Sequence, residues 1–334
     1  MLRRTLLVSF GACLAFASNA LAEAPIVIKF SHVVAADTPK GKGAERFKEL
    51  AEKMTKGRVK VEIYANSTLY KDKEEMEALQ LGAVQMLAPS LAKFGPLGVK
   101  EFEVFDLPYM FPSKDVLYRV TDGPIGKDLF KKLESKGISG LAYWDNGFKV
   151  MSANKPLLLP ADFRGLKMRV QASKVLDAQM RALGANPQVM AFSEVYQALQ
   201  TGVVDGTENP PSNVYTQKMH EVQTNLTVSN HGYLGYAVIV NKKFWDGLPA
   251  DIRVTLEAAM KDATKYSNAI AQQENDKALE AIRQTGKTTI HVMTDKERAE
   301  WRRVLVPVQK DMEGRIGKEL IASVNKESAA LGFK

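Results

Sequence analysis

The stretch Arg58-Val59-Lys60-Val61-Glu62-Ile63 alternates charged and apolar residues without interruption. Strict alternation is the period of a β-strand that buries one face, so this stretch predicts a strand. The apolar run 26–30 predicts a strand before it, and apolar residues at helical spacing over 43–54 predict a helix between the two. Residues 72–81 predict a second helix, and 84–87 predict a third strand. This β-α-β-α-β order favours an α/β domain with a largely parallel sheet.

The same alternation of strands and helices resumes after a loop-rich middle of the chain. Short apolar runs and helical periodicities predict strands over 138–144, 166–170, 188–191, 203–205 and 288–292, a strand pair between 225 and 241, and helices over 174–183 and 193–200. Two units of this kind fit a chain of 334 residues, since such a length usually divides into two domains.

A single helix is predicted from Pro249 to about Gln284, because no glycine or proline interrupts the residues that follow Pro249. At 1.5 Å per residue the length of this helix is about 50 Å, which is more than the width of a small domain. We therefore expect the helix to lie across two lobes. A kinked or broken helix is the alternative.

No repeat, low-complexity tract or Gly/Ser linker separates the two units. The absence of a linker indicates that the chain crosses between two lobes several times, as in discontinuous domains joined by hinge strands. Asn146-Gly147 and Asn230-His231-Gly232 are the hinge candidates, because glycine and asparagine tolerate unusual backbone angles. The expected division is a signal peptide over 1–22, a first lobe of 23–146 with about 232–272, and a second lobe of 147–231 with about 273–334.

The N-terminus has the layout of a secretory signal peptide: a pair of arginines, an uncharged run over 6–17, and Ala20-Leu21-Ala22 before Glu23. The apolar run is too short to span a bilayer, which takes about 20 residues. Cleavage is expected near Ala22/Glu23, and the mature protein is expected in the periplasm; a buried N-terminal helix is the alternative. Cleavage would remove Cys13, the one cysteine of the sequence, and so exclude disulfides, thiolate metal sites and cysteine nucleophiles.

Removal of residues 1–22 takes away two arginines and no acid, so the net charge falls from +8 to +6. The remaining basic residues are scattered among acids, whereas nucleic-acid binding needs a stripe of Lys and Arg with interleaved aromatic residues. No stretch after residue 23 is long and apolar enough to form a transmembrane helix. We therefore expect a soluble mature protein that binds no nucleic acid.

Sequence motifs for covalent chemistry are missing. The four histidines show no metal-ligand spacing, and neither a G-x-S-x-G elbow nor a phosphate-binding loop occurs. The chain is therefore not expected to be an enzyme, and we predict no catalytic residue, metal or cofactor. A catalytic pair of carboxylates stays open, because the sequence does not reveal which acids meet.

Arg169 is the polar residue with the clearest chemical meaning. On an alternating strand over 165–170, Lys167 and Arg169 face one side and the apolar residues face the other. An arginine offers a planar fork that matches a carboxylate with two hydrogen bonds, so Arg169 in a cleft would anchor an organic acid. On position alone, a solvated or structural arginine is the commoner case. Lys149 at a strand start and Asn209 in a rigid Asn-Pro turn are further candidates.

Three segments make the chain recognisable: Gly165-Leu166-Lys167-Met168-Arg169-Val170, the stretch 191–202 (AFSEVYQALQTG) and the stretch 204–210 (VDGTENP). Together they resemble the solute-binding proteins of TRAP transporters, which are tripartite, ion-gradient-driven uptake systems without an ATPase. Three further segments, 86–94, 105–109 and 230–236, resemble one branch of that family. This branch binds the C4-dicarboxylates succinate, malate and fumarate.

The resemblance implies an α/β, two-lobed periplasmic-binding-protein fold with discontinuous domains, hinge strands and a long helix crossing both lobes. It implies that Arg169 forms a salt bridge to a ligand carboxylate and that Asn209 helps to orient the same group. Lys149 stands where sialic-acid-binding relatives carry a second arginine, a departure that fits a different ligand. Ser90 and Lys93 fall in the segment that lines the first lobe's side of the cleft. Further lining candidates are His32, Phe192, His231 and Tyr236.

A dicarboxylate needs cationic or donor-rich groups at both ends, and we expect Arg169 with Lys149 or Lys93 to supply them. The expected function is capture of a C4-dicarboxylate by a monomer that closes its lobes and delivers the ligand to integral-membrane TRAP transporter subunits. Three alternatives stay open: the same role for a 2-keto acid or a sugar acid, a sensor that passes ligand state to a receptor, and a periplasmic enzyme that acts on a carboxylate.

Overall fold

The computed structural model describes residues 24–333. The predicted signal peptide, with Cys13 and the cleavage point at Ala22/Glu23, lies outside the described residues. The strands are β1 (Ile26–Ser31), β2 (Val59–Tyr64), β3 (Met86–Leu87), β4 (Ile138–Phe148), β5 (Val150–Ala153), β6 (Lys167–Val170), β7 (Asn186–Val189), β8 (Gly206–Asn209), β9 (Asn225–Val228), β10 (Tyr233–Asn241) and β11 (Thr289–Val292). The helices are α1 (Pro39–Met54), α2 (Glu75–Gln80), α3 (Lys114–Asp122), α4 (Pro124–Glu134), α5 (Lys174–Ala182), α6 (Val195–Gln200), α7 (Pro211–Thr216), α8 (Lys242–Asp246), α9 (Ala250–Gln284), α10 (Asp295–Leu305), α11 (Pro307–Asp311), α12 (Glu313–Ile316) and α13 (Lys318–Ala330).

The first sheet has the strand order β2-β1-β3-β10-β4. Strand β1 pairs in parallel with β2 and β3, as the β-α-β-α-β pattern predicted, and β10 runs antiparallel to β3 and β4. Val59 and Val61 of the alternating stretch are buried, while Lys60 between them is exposed. The prediction of a half-buried strand is confirmed.

Helix α1 packs on this sheet and starts at a capped turn. The Thr38 hydroxyl accepts a hydrogen bond from the Gly41 amide (3.1 Å), and Pro39 occupies the first turn, where its missing N–H costs nothing. The rings of Phe47 and Phe30 pack edge to face at 6.2 Å and hold the helix on β1. The second predicted helix, 72–81, is shorter in the structure, because residues 71–74 form a turn before α2 begins.

The second sheet has the order β11-β9-β5-β8-β6-β7, in which β5 is antiparallel to β8 and β9 while β6 is parallel to β7 and β8. The predicted strand over 203–205 is wrong, because these residues bend and strand β8 starts at Gly206. Asp205 is the reason: its carboxylate accepts a hydrogen bond from the Lys167 amide (2.7 Å), and its own amide donates to the Lys167 carbonyl (2.8 Å). Through these two hydrogen bonds Asp205 fixes the point at which β8 begins to pair with β6.

The chain passes between the two sheets at neighbouring points. Strand β4 of the first sheet continues into β5 of the second through Lys149, and β9 of the second sheet leads through 229–232 into β10 of the first. Both hinge candidates lie at these crossings, where Gly147 has a φ of 127° and Asn230 a φ of 46°. Hinge motion at these crossings stays a prediction.

Helix α9 is unbroken over 35 residues and contacts α1 and β4 on one side and α7 on the other. Asn275 ties the helix to the first crossing and to α7: its Nδ2 donates to the Asn146 carbonyl (2.5 Å) and its Oδ1 accepts from the Ser212 amide (2.9 Å). The helix therefore joins β4 of the first sheet to α7, which follows β8 of the second sheet. Among residues 24–333, no helix combines the length and the apolar character needed to cross a membrane.

The last helices differ from the predicted division, which placed 273–334 in the second lobe. Helices α12 and α13 pack against α3 and the turn Lys100–Asp106, beside the first sheet. Ile321 and Val324 join the apolar cluster that contains Phe102 and Leu117, and burial of these side chains brings the C-terminus back to the first lobe. The other boundaries of the division stay a prediction.

Gly147 is a position at which any side chain is expected to destabilise the fold. A Cβ there would lie 2.6 Å from Nδ2 of Asn275, which is held by its own hydrogen bonds, and the φ of 127° disfavours L-residues. We expect Gly147→Ala to lower the free energy of unfolding by about 2 to 3 kcal/mol in denaturant titrations. Gly137→Ala is the control, because Gly137 also has a positive φ (73°) but no atom within 4 Å of a Cβ. Equal losses in the two variants would contradict the role given to the Asn275 contact.

Candidate ligand-binding site

One face of the second sheet gathers polar side chains next to the first lobe. Arg169 on β6 pairs with Thr207 on β8, and Asn209 lies two residues further along β8, so the three side chains point to the same side. On β5, Val150 pairs with Asn209, so the Val150 side chain lies on the same face of the sheet. The sequence prediction that Arg169 and Asn209 lie together is consistent with this register.

Arg169 is 2% exposed, and its guanidinium is fixed against the backbone. Nε and Nη2 both donate to the Met190 carbonyl, at 3.2 and 2.9 Å, which leaves Nη1 outside either bond. The Phe192 ring stands 5.9 Å from the guanidinium carbon. Burial lowers the pKa of Arg169 from its usual value, while nearby Asp72 opposes that shift. The result is a buried cation that a carbonyl oxygen holds in place.

Asn209 begins a chain of amides that ends on the first sheet. Its Oδ1 accepts from Asn213 Nδ2 (3.3 Å), and the same nitrogen points at the Tyr236 hydroxyl (3.5 Å) on β10. Nδ2 of Asn209 is buried and has no hydrogen-bond partner among residues 24–333. A buried donor of this kind is costly unless an acceptor reaches it.

Ser90 and Gln171 meet across the boundary between the lobes. Gln171 Nε2 donates to Ser90 Oγ (2.9 Å), and Ser90 also forms a β-bridge with Tyr236. The predicted lining residues Ser90 and Tyr236 are thus brought together on the first lobe's side. Oε1 of Gln171 is a further buried acceptor without a partner within the described chain.

Lys93 does not stand free in the cleft. Its Nζ pairs with the Asp72 carboxylate (2.8 Å) and also donates to the Asp72 carbonyl (3.1 Å). The other oxygen of Asp72 accepts from the Phe192 amide, so a first-lobe acid holds a second-lobe backbone group. Burial raises the pKa of Asp72, but Lys93 and Arg169 outweigh it and the net pKa is lowered. A cavity of about 330 Å³ opens beside Asp72 and Lys93 and reaches Ala172 of the second lobe.

Lys40 is a further candidate for the site that the sequence did not single out. It is fully buried in the first turn of α1, with Nζ 2.9 Å from the Ala88 carbonyl and 3.7 Å from the centre of the Tyr236 ring. A cation in the first turn of a helix opposes the helix dipole, and this mismatch is the signal that could have marked it. Burial lowers the pKa of Lys40 to about 7, although Glu75 and Asp72 act in the opposite direction.

His32 and Glu75 line the same region of the first lobe. Both ring nitrogens of His32 and both carboxylate oxygens of Glu75 are buried without a hydrogen-bond partner in the described part of the chain. Burial, with Lys40 nearby, lowers the pKa of His32 to about 3, and burial raises the pKa of Glu75 to about 8. Near neutral pH His32 is therefore uncharged, and Glu75 is displaced toward its neutral form.

Lys149 and His231 lie on the opposite face of the second sheet from Arg169. Lys149 Nζ pairs with Glu208 (2.6 Å), His231 Nε2 contacts the other oxygen of Glu208 (2.8 Å), and Gln179 donates to that oxygen (3.2 Å). Strand alternation sets this arrangement, since Glu208 is flanked on β8 by residues that face Arg169. This hinge network, made of Lys149, Glu208, His231 and Gln179, corrects the expectation that Lys149 and His231 line the cleft beside Arg169. Lys149 already has its counter-ion.

The arrangement as a whole suits an anion. Buried donors and cations from both lobes converge around Arg169, Asn209 and Lys40, where a carboxylate would find several partners. Within residues 24–333, no group of three or more His, Cys, Asp or Glu side chains stands close enough to hold a metal ion.

A family model for bacterial extracellular solute-binding proteins, family 7 (DctP), matches residues 30–315. The chain belongs to this family. The protein is 70% identical over 316 residues to the C4-dicarboxylate-binding periplasmic protein DctP of Rhodobacter capsulatus, and the match covers 95% of each chain.

Two solved structures of TRAP periplasmic solute-binding proteins resemble this solute-binding protein. One, from Sulfurospirillum deleyianum with bound succinate, has a TM-score of 0.88 and 47% identity, covering 90% of this chain and 99% of that one. Another, from Pseudomonas aeruginosa with bound L-malate, has a TM-score of 0.84 and 44% identity, covering 86% and 100%. The predicted family and the two-lobed α/β fold are confirmed.

The hinge network is expected to stabilise the solute-binding protein in a way that depends on pH. Burial alone would raise the pKa of Glu208, but Lys149 and His231 overcome it and lower this pKa to about 2. Because the folded pKa lies below the ordinary value of 4.5, the stabilisation is complete above about pH 4.5 and is lost as the pH falls toward 2. We expect Glu208→Gln to cost about 3 to 5 kcal/mol at pH 7, because Lys149 is left buried without a counter-ion.

Denaturant unfolding between pH 7 and pH 3 tests this expectation. Wild-type protein should lose more stability below pH 4.5 than Glu208→Gln does. Glu300→Gln is the matched control, because the pair of Glu300 with Arg303 is exposed and its removal should change stability by less than about 0.5 kcal/mol. A Glu208→Gln protein as stable as the control variant would contradict the role of the hinge network.

Proposed function

We propose that this protein captures C4-dicarboxylates such as succinate, malate and fumarate in the periplasm and delivers them to the integral-membrane subunits of a TRAP transporter. The observation that carries the proposal is Arg169, a buried guanidinium held by the Met190 carbonyl beside the unpartnered amide of Asn209. The 70% identity to a C4-dicarboxylate-binding protein supports this choice of ligand.

Arg169 is the anchor for one carboxylate of the ligand. Its planar fork is pre-oriented by Met190, so little side-chain entropy is lost when an anion binds. Asn209 Nδ2 would donate to the same carboxylate and gain the acceptor that it lacks within the described chain. Binding needs no bond to be made or broken, and the protein is proposed to act without catalysis.

Closure of the two lobes is the second part of the mechanism. Ser90 with Gln171 and Asp72 with Phe192 join first-lobe and second-lobe groups around the cleft. A dianion is expensive to remove from water unless its oxygens are all paired, and the closed cleft supplies partners from both sides. We infer that the closed form is the one that the membrane subunits recognise, and that the protein acts as a monomer.

Arg169→Lys tests the anchor. Lysine keeps the charge but lacks the fork and cannot make both bonds to Met190, so affinity for succinate should fall at least about 100-fold, a loss of about 2.7 kcal/mol. Isothermal titration calorimetry with succinate, malate and fumarate measures the loss.

Arg181→Lys is the control for this measurement, because Arg181 is exposed and pairs with Asp177 within α5. Its affinity for succinate should match that of the wild-type protein. Near-native binding by a folded Arg169→Lys protein would remove Arg169 from the site. Wild-type protein that binds a 2-keto acid or a sugar acid and none of the three C4-dicarboxylates would refute the proposed ligand.

A further inference from the structure

Lys40 and Arg169 approach the same group of side chains from opposite lobes. Lys40 comes from α1 of the first lobe and lies over the ring of Tyr236. The Tyr236 hydroxyl contacts Asn213, which also bonds Asn209, and Asn209 shares a sheet face with Arg169. Two cations on different lobes are therefore separated by one short chain of polar groups.

Lys40 lacks the carboxylate partner that the other buried lysines of this region have. Lys93 pairs with Asp72, and Lys149 pairs with a carboxylate of the hinge network on the far face of the second sheet. Lys40 donates to the carbonyl of Ala88, and no carboxylate in the part of the chain that the structure describes lies within salt-bridge distance of it. An ammonium group has three donors, so Lys40 can still bind an anion.

The surroundings of Lys40 favour an anion as the missing partner. His32 is neutral and buried, so its unpartnered ring carries one donor and one acceptor. Both carboxylate oxygens of Glu75 lack a hydrogen-bond partner among residues 24–333, so Glu75 forms no salt bridge with Lys40, and burial raises its pKa. Burial lowers the pKa of Lys40 to about 7, and a carboxylate beside it would raise that pKa and hold the amine in its charged form.

We propose that Lys40 binds the second carboxylate of the ligand, with His32 as an additional donor, so that one cation from each lobe holds each end of the dicarboxylate. This inference rests on the proposed function and deepens it. A monocarboxylate would satisfy Arg169 and leave Lys40 buried without an anion. Lys40 and Arg169 together therefore select dianions. Because the two cations belong to different lobes, they also link capture of the ligand to closure of the lobes.

The test compares succinate with monomethyl succinate, which has the same chain and one negative charge fewer. Wild-type protein should bind succinate at least about 100-fold more tightly than the monoester in calorimetry. Lys40→Gln and Lys40→Met should weaken succinate binding by about 100-fold or more and leave monoester binding within about threefold, so the preference collapses. Glutamine keeps a donor for the Ala88 carbonyl, and methionine keeps the packing on the Tyr236 ring. Because each variant preserves a different contact of Lys40, one of them can serve as the test if the other is unstable.

Lys53→Gln is the control, because Lys53 lies on the exposed side of the same helix; it should keep the wild-type preference. Thermal melting shows which variants are folded. A folded Lys40 variant that still prefers succinate to the monoester as strongly as the wild-type protein overturns the assignment of Lys40. If the wild-type protein binds no C4-dicarboxylate, the proposed function is overturned and this inference with it. That outcome is distinct from the failure of a Lys40 variant to lose its preference for succinate.

Discussion

Positive charge buried between the lobes is the constraint around which the described structure is arranged. A cation taken out of water is costly unless an anion or hydrogen bonds compensate it, and the structure meets this cost in two ways. Lys149 and Lys93 each pair with a carboxylate, and these pairs hold the chain crossing and the lobe boundary. Arg169 and Lys40 instead donate to backbone carbonyls, which fix their position without cancelling their charge. The second pair is the one that suits an anionic ligand.

The sheet geometry separates these two kinds of site. Because side chains alternate along a strand, β8 sends Glu208 toward Lys149 on one face and sends Thr207 and Asn209 toward Arg169 on the other. The first face stabilises the point where the chain crosses between sheets, and the second face borders the first lobe. Helix α9 contacts β4 of the first sheet and also α7, which follows β8 of the second sheet.

The sequence predicted local features well and long-range placement poorly. The alternation over 58–63 and the uninterrupted residues of α9 are local patterns, and the structure has the strand and the helix that they predict. Arg169 and Asn209 were predicted as site residues from motifs that lie close to each other in the chain, and the register of β6 and β8 places them on one face. Lys149 was predicted beside Arg169, but the register of β5 against β8 decides its face, and one sequence does not reveal that register. Lys40 was missed because its burial depends on a sheet formed by distant strands.

A crystal structure of the mature protein with succinate would show directly which side chains hold each carboxylate. We expect one carboxylate on the Arg169 guanidinium and Asn209 Nδ2, and the other within hydrogen-bond distance of Lys40 Nζ, with the lobes closed around the ligand. Succinate held by groups of one lobe, or bound with the Arg169 guanidinium out of contact, would contradict it.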